Sequence, residues 1–193
     1  MSSGHRDGKR KRVGLTSLAE LKAAREPVVM LTAYDFPSAR IAEEAGVDLV
    51  LVGDSAANVV LGYDTTLPVT VEELLVLTKA VRRGLRHPFL VADLPFGSYQ
   101  VDVAAGVQSA VRMVKEGRVE GVKLEGGRER LPVISAIVEA GIPVMGHIGL
   151  MPQAVNRTGG FRLQGKNKDQ ARAIVDDALA LEKAGVFALL LES

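Results

Sequence analysis

The sequence has no cysteine and no tryptophan, and only 4% of its 193 residues are aromatic. Without cysteine there is no disulfide framework, no thiolate zinc site and no thiol nucleophile. No apolar run approaches the roughly 20 residues that cross a bilayer, and the N-terminus lacks the apolar core of a secretory signal. The expectation is a cytoplasmic protein with no membrane partner. An excess of either charge is missing too, with 24 Lys+Arg against 23 Asp+Glu. The balance is uneven, however, because Arg6, Lys9, Arg10, Lys11 and Arg12 against Asp7 leave residues 13–193 net acidic. Residues 1–14 therefore read as a disordered basic arm and residues 15–193 as one barrel domain. With so few aromatics and no structured basic stripe, a nucleic-acid partner is not expected.

What is present is a recurring apolar run. Six occur: Val28–Ala33, Leu49–Gly53, Phe89–Ala92, Gly121–Glu125, Pro143–His147 and Val186–Glu192. Most are continuously apolar and rich in Val and Leu, as strands buried on both faces are. Helical spacing lies between them, in Val103, Val107, Ala110, Val111 and Val114 and in Ala171, Ile174, Val175, Ala178 and Leu181. Thr70 with Glu73 has the capping-box pattern, and Pro132 suits a first helical turn. Ala45-Gly46, Ala140-Gly141 and Ala184-Gly185 each stand just before a run, where glycine can take the left-handed C′ conformation. Alternation of strand and helix without a hairpin signal predicts a parallel α/β sheet, doubly wound or a (β/α) barrel.

The polar residues favour the TIM-type barrel. Tyr34 with Asp35, Asp54 with Ser55, Asp93, Lys123 with Glu125, His147 and Glu192 stand at or just past the C-terminal ends of the runs. That rim is where a barrel gathers catalytic groups; no glycine-rich dinucleotide or phosphate loop follows the first strand. Asp54 and Asp93 end neighbouring strands, so their carboxylates repel unless a cation lies between them or one is protonated. Hard oxygen donors suit Mg²⁺; the competing reading is that both cap helices. Lys123 and Glu125, two apart, share a face and serve either a site or a salt-bridged barrel layer. Lys123 is also a candidate Schiff-base nucleophile. His147 is either a core histidine or a rim group. Glu192, after three leucines, is either buried, with the raised pKa of a general base, or a frayed carboxylate one residue from the end of the sequence. Tyr34, Phe36, Tyr63, Phe96, Tyr99 and Phe161 fall outside the expected strands and helices, where they either wall a pocket or pack loops on the barrel. Residues 155–166 form a basic, glycine-containing loop with Arg157, Arg162 and Lys166.

A set of stretches then stands in order: LTAYDFPSA (31–39), LVGDS (51–55), LGYDTTLPVTVEE (61–73), VRRG (81–84), ADLPFGSY (92–99), VKLEGG (122–127), GHIGLMPQAVN (146–156), GGFRLQGK (159–166) and DALALEKAG (177–185). Together they resemble the ketopantoate hydroxymethyltransferase family. The resemblance implies a phosphoenolpyruvate/pyruvate-like (β/α)8 barrel, of which about six β/α units stand in this sequence. It implies hydroxymethyl transfer from 5,10-methylenetetrahydrofolate to 3-methyl-2-oxobutanoate, giving 2-dehydropantoate through a Mg²⁺-stabilised enolate in pantothenate and coenzyme A biosynthesis. In that reading Asp54 and Asp93 hold Mg²⁺, with Glu125 ligating directly or through water. Asp54, Ser55, Asp93 and Lys123 bind the ketoacid, Glu192 accepts the proton, and His147 has a supporting role. A homo-decamer is implied as well. The sequence departs from the family pattern at Ala56-Ala57-Asn58 and Met151, and it ends two strand–helix units early, so a truncated chain is expected. The alternatives are another Mg²⁺-dependent 2-oxo acid lyase or aldolase on the same barrel, and a non-catalytic fragment.

Overall fold

Residues 10–160 and 162–192 are described by the structure, a computed structural model. The six apolar runs form six parallel strands: β1 (Met30–Thr32), β2 (Leu49–Val52), β3 (Phe89–Asp93), β4 (Gly121–Glu125), β5 (Val144–Gly149) and β6 (Ala188–Glu192). Their order in the sheet is their order in the chain. Helices separate them: α1 (Leu15–Ala24), α2 (Phe36–Ala45), α3 (Ala56–Val59), α4 (Val71–Gly84), α5 (Val103–Arg112), α6 (Leu131–Glu139), α7 (Val155–Thr158) and α8 (Lys168–Lys183). This is the β/α arrangement of a TIM barrel with six of its eight strands. No pairing among the described residues joins β1 to β6, so the sheet stays open.

Local signals account for the element ends. Thr70 accepts from the Glu73 N–H while Glu73 accepts from the Thr70 N–H, and this reciprocal box starts α4. Gly46, Gly141 and Gly185 have φ of +79°, +82° and +89° and release the chain into the next strand. Asp35 is a helix cap, accepting from the Ser38 N–H at 2.8 Å at the start of α2. Phe36, expected in a loop, is the first residue of α2. Phe161 lies outside the described residues.

Strand alternation sorts the side chains. Val50, Val52, Leu90, Ala92, Val122 and Val144 join the helices in the larger core. Leu49, Leu51, Phe89, Val91 and Met145 face the interior with Phe187 and Leu190, and Val13 and Leu18 of the N-terminal segment pack against them. One step further along the same interior face come Asp93, Lys123, Glu125 and His147. The register fixes them side by side: Asp93 pairs with Lys123, and Glu125 with His147. The interior is thus apolar at the N-terminal end of the strands and polar at the other.

β2, β3 and β4 are buried throughout, as expected. β1 and β6 are not: Leu31 and Leu191 are exposed, because each strand has a neighbour on one side only. Of the expected basic arm, residues 1–9 lie outside the described residues. Arg10 donates to the carbonyls of Glu43 and Val47, Arg12 pairs with Glu120, and the Val13 N–H donates to the His87 carbonyl at 2.8 Å. Among the described residues no helix is long and apolar enough to cross a membrane.

Candidate active site

Three carboxylates and one ammonium meet at the polar end of the interior, all of them buried. Asp93 is the centre. Its Oδ2 accepts the Asp54 N–H at 2.8 Å, and its Oδ1 lies 2.9 Å from Lys123 Nζ. Lys123 thus pairs across the strands with Asp93 rather than along its own strand with Glu125. Its ammonium also lies 3.2 Å from His147 Nδ1. The ammonium has only protons to offer, so Nδ1 is the acceptor and the imidazole proton sits on Nε2. That nitrogen is 3.3 Å from Glu192 Oε2.

Charge is stored here at a cost. Burial, reinforced by the Asp54 charge and opposed by Lys123, pushes Asp93 up to about 7. Burial and the Asp54 and Asp93 charges push Glu125 up to about 8. Burial and then the Lys123 charge hold His147 down at about 3, so it is neutral. Burial works against the Lys123 ammonium, but the Asp93 and Asp54 charges outweigh it and raise its pKa. An ammonium kept protonated in this way is a poor Schiff-base nucleophile.

Sequence reasoning missed the residue that ties the site together. Gln153, in the single turn Pro152–Ala154 after β5, is buried. Its Nε2 donates to Asp54 Oδ2 at 2.8 Å and to the Leu94 carbonyl at 3.0 Å. Its Oε1 accepts from the Tyr99 hydroxyl at 2.7 Å and from Gln100 Nε2 at 3.0 Å. Its backbone N–H donates to Glu125 Oε2 at 3.0 Å. Asp54 therefore answers to Gln153 and does not cap α3. The same Tyr99 hydroxyl accepts the Glu125 N–H at 3.1 Å.

Ser55 lies beside this network, 2.7 Å from the Tyr34 hydroxyl. Gly53 must be small here, since a Cβ would sit 2.9 Å from Ser55 Oγ. Glu192 departs from the buried one of its two readings. Its side chain is 45% exposed instead of buried, because β6 is an open edge. Its main chain is nevertheless fixed: the Leu150 N–H donates to the Glu192 carbonyl at 2.6 Å, and a Cβ on Gly149 (φ +91°) would be 1.9 Å from that oxygen. Nothing in the sequence pattern marks Gly149.

A cleft of about 280 Å³ opens beside Glu125 and Gln153, walled by Phe96, Tyr99, Arg130 and Met151 and reached by Arg157. Two of the loop aromatics thus line it. Tyr63 instead donates to Glu73 Oε1 at 2.7 Å, and Arg162 and Lys166 stand away from the cleft.

Magnesium can be tested against these donors. Among the described residues no three His, Asp or Glu side chains are gathered into a ready-made cage. Mg²⁺ does not require one: it commonly takes one or two carboxylates and fills the rest with water and substrate oxygens. Asp54 and Asp93 are contiguous and acidic in excess of Lys123, and buried Glu125 Oε1 has no hydrogen-bond partner. The donor set fits.

The Ketopantoate hydroxymethyltransferase family profile matches residues 12–193. Curated relatives named 3-methyl-2-oxobutanoate hydroxymethyltransferase include one from Carboxydothermus hydrogenoformans, 53% identical over 94% of this chain and 66% of its own length. Another, from Rhodococcus jostii, is 55% identical over 91% of this chain and 60% of its own length. A third, from Emericella nidulans, is 52% identical over 95% and 53%. The chain spans less than two thirds of the length of these relatives. Similar solved folds include phosphonopyruvate hydrolase in complex with oxalate and Mg++, with a TM-score of 0.69 at 15% identity over 94% of this chain and 63% of that one. 2,3-Dimethylmalate lyase, a PEP mutase/isocitrate lyase superfamily member, gives 0.63 at 18% over 93% and 62%. On the profile match across nearly its whole described length, the chain belongs to the ketopantoate hydroxymethyltransferase family.

Proposed function

We propose that the protein transfers a hydroxymethyl group from 5,10-methylenetetrahydrofolate to 3-methyl-2-oxobutanoate, giving 2-dehydropantoate. The observation that carries this reading is the cluster of Asp54, Asp93, Lys123 and Glu125 at the polar end of the interior, in a chain about half identical to relatives of that name. Asp54 and Asp93 would hold Mg²⁺, with Glu125 Oε1 as a further donor directly or through water. When bound, that ion supplies a Lewis acid for the oxygens of a 2-oxo acid. The oxalate and Mg++ in the phosphonopyruvate hydrolase complex support this pairing of occupants.

The chain's own groups then divide the work. Lys123, locked by Asp93 and His147, sets a fixed positive charge against the ketoacid's anionic oxygens. Ser55, oriented by Tyr34, adds a hydroxyl donor. Glu192 takes the proton from C3. Neutral His147 has its Nε2 3.3 Å from Glu192 Oε2 without a formed hydrogen bond, close enough to steady that carboxylate during the transfer. C3, left nucleophilic, forms the new carbon–carbon bond to the one-carbon unit. Both carbon–nitrogen bonds that held this unit break, a water molecule supplies the hydroxyl oxygen and its protons go to the folate nitrogens, and tetrahydrofolate leaves. The cleft walled by Phe96 and Tyr99, with Arg130 and Arg157 at its margin, is where an anionic folate would lie. We place this chemistry in the cytoplasm, in a homo-oligomer of the decameric kind.

Deuterium exchange at C3 of 3-methyl-2-oxobutanoate tests the proton step, and product formation with 5,10-methylenetetrahydrofolate tests the transfer. Exchange is expected to need Mg²⁺ and to disappear in Glu192→Gln. Exchange that persists in that variant, or without metal, overturns the reading. Exchange with no product in the presence of the folate favours a lyase or aldolase instead.

A further inference from the structure

The VRRG stretch (81–84) takes no part in the site described above. It closes α4 at the opposite end of the sheet, where the chain turns into β3. Arg82 and Arg83 meet Arg86 from that turn, Arg118 from the turn before β4, and Arg12 from the N-terminal segment. These five arginines and Leu85 line one recess of about 380 Å³.

The carboxylates near it are already engaged. Glu120 pairs with Arg12 and, through Oε1 and Oε2 at 3.1 and 3.2 Å, with Arg82 Nη1, and its Oε2 accepts the Leu90 N–H at 2.8 Å. Glu43 accepts the N–H groups of Arg86 and His87 at 2.8 and 3.2 Å and contacts the His87 ring. Arg82 also donates to the Leu85 carbonyl at 2.8 Å, meeting the need of the α4 C-terminus for a cation. Among the described residues the side chains of Arg83, Arg86 and Arg118 make no hydrogen bond or ion pair. Arg118 moreover sits at φ +57°, a left-handed backbone that an arginine rarely adopts.

We infer that this recess is a binding site for a small molecule carrying a diphosphate group. Guanidinium forks match phosphate oxygens two at a time. A diphosphate is the compact anion whose charge best approaches five guanidinium groups set against the two carboxylates Glu120 and Glu43. The recess has one apolar lining residue and no aromatic to stack a base, which argues against a nucleic-acid strand. Asp93 and Glu125 end β3 and β4, whereas Leu85 and Arg118 precede them, so this recess is separate from the candidate active site.

Calorimetric titration of the full chain with inorganic pyrophosphate, without Mg²⁺ and at fixed ionic strength, tests the site. One equivalent is expected to bind, and Arg83→Gln combined with Arg118→Gly to weaken it roughly tenfold or more per guanidinium removed. Glycine suits φ +57°, so that variant keeps the turn. Arg86→Gln, at an exposed position, is the second variant and should weaken binding similarly. Arg157→Gln, at the cleft beside Glu125, should leave binding unchanged. An ADP arm distinguishes a bare diphosphate, bound equally, from a nucleoside-borne one, bound more tightly; either supports the site. Equal binding by wild type and both arginine variants overturns it, as does loss in Arg157→Gln or binding no tighter than that of sulfate.

Discussion

Gln153→Leu removes the central hydrogen-bonding group of the candidate active site and keeps its approximate volume. The buried Asp54 Oδ2 loses a donor at 2.8 Å, the Leu94 carbonyl loses one at 3.0 Å, and the Tyr99 hydroxyl loses its acceptor at 2.7 Å. The carboxylate contact, made to a charged group, is worth about 1.5–3 kcal/mol and each of the other two about 1 kcal/mol. Tyr99 keeps the Glu125 carbonyl at 3.2 Å, which reduces its share. The expected loss is about 3–5 kcal/mol, a large part of the roughly 5–15 kcal/mol that holds a domain folded. Urea unfolding with the slope checked for constancy measures it. Gln153→Glu provides the control for mechanism. It places a second carboxylate against Asp54, which favours the protonated form of the new group. Its folded-state pKa is therefore raised, and its stability deficit should shrink as the pH falls below that value. A loss under about 1 kcal/mol in Gln153→Leu, or a Gln153→Glu deficit independent of pH, refutes the assignment of Gln153 as the residue that positions Asp54 and Glu125.

Gly149→Ala should destabilise by about 3 kcal/mol or more, since its Cβ would meet the Glu192 carbonyl at 1.9 Å from a φ of +91°; thermal unfolding reads the loss. The metal-free protein should become less stable as the pH rises from about 6.5 to 8. Asp93 and Glu125, at about 7 and about 8, are raised above their unfolded values, so the folded state holds more protons in that window. His147, lowered to about 3, opposes this trend only below its unfolded value of 6.5. Added Mg²⁺ should release protons and flatten the slope, which a pH-stat and urea midpoints follow. Lys123→Met removes the charge that opposes the upward shift of Asp93, so Asp93 becomes harder to ionise. The cost should grow with pH, at pH 8 approaching the about 3–5 kcal/mol of a buried charge left unpaired. The cost should be smaller at pH 6, where Asp93 takes up a proton; equal midpoint shifts at both pH values contradict the pairing.

The barrel was readable because continuous Val- and Leu-rich runs, with helical spacing between them, leave little but a buried parallel sheet; α1 (Leu15–Ala24), ahead of the first run, was not. Asp54, Asp93, Lys123 and His147 were readable for a related reason: polar groups at the ends of apolar runs are costly to bury without a purpose. Gln153 was not, because its partner Asp54 lies 99 residues away and a three-residue turn has no periodicity. Nor was the exposure of Glu192, which depends on whether a strand lies beyond β6 rather than on the three leucines before it. Asp35 and Asp54 look alike in the sequence. Only Ser38, whose hydroxyl contacts both the Asp35 carboxylate and the Tyr34 N–H, distinguishes the cap from the site residue.

The sequential order of the strands bears on how the molecule is made. Each strand after β1 pairs with the strand synthesised just before it, so every new β/α unit leaving the ribosome finds its docking surface already in place. No strand waits for a partner encoded far downstream, and the loop-closure entropy paid at each addition is that of one unit. The growing sheet always presents its newest strand as the receptive edge, while the other side of β1 has no strand partner among the described residues. Vectorial synthesis and topology therefore run in the same direction, and a pause at any helix leaves a shorter version of the same half-barrel.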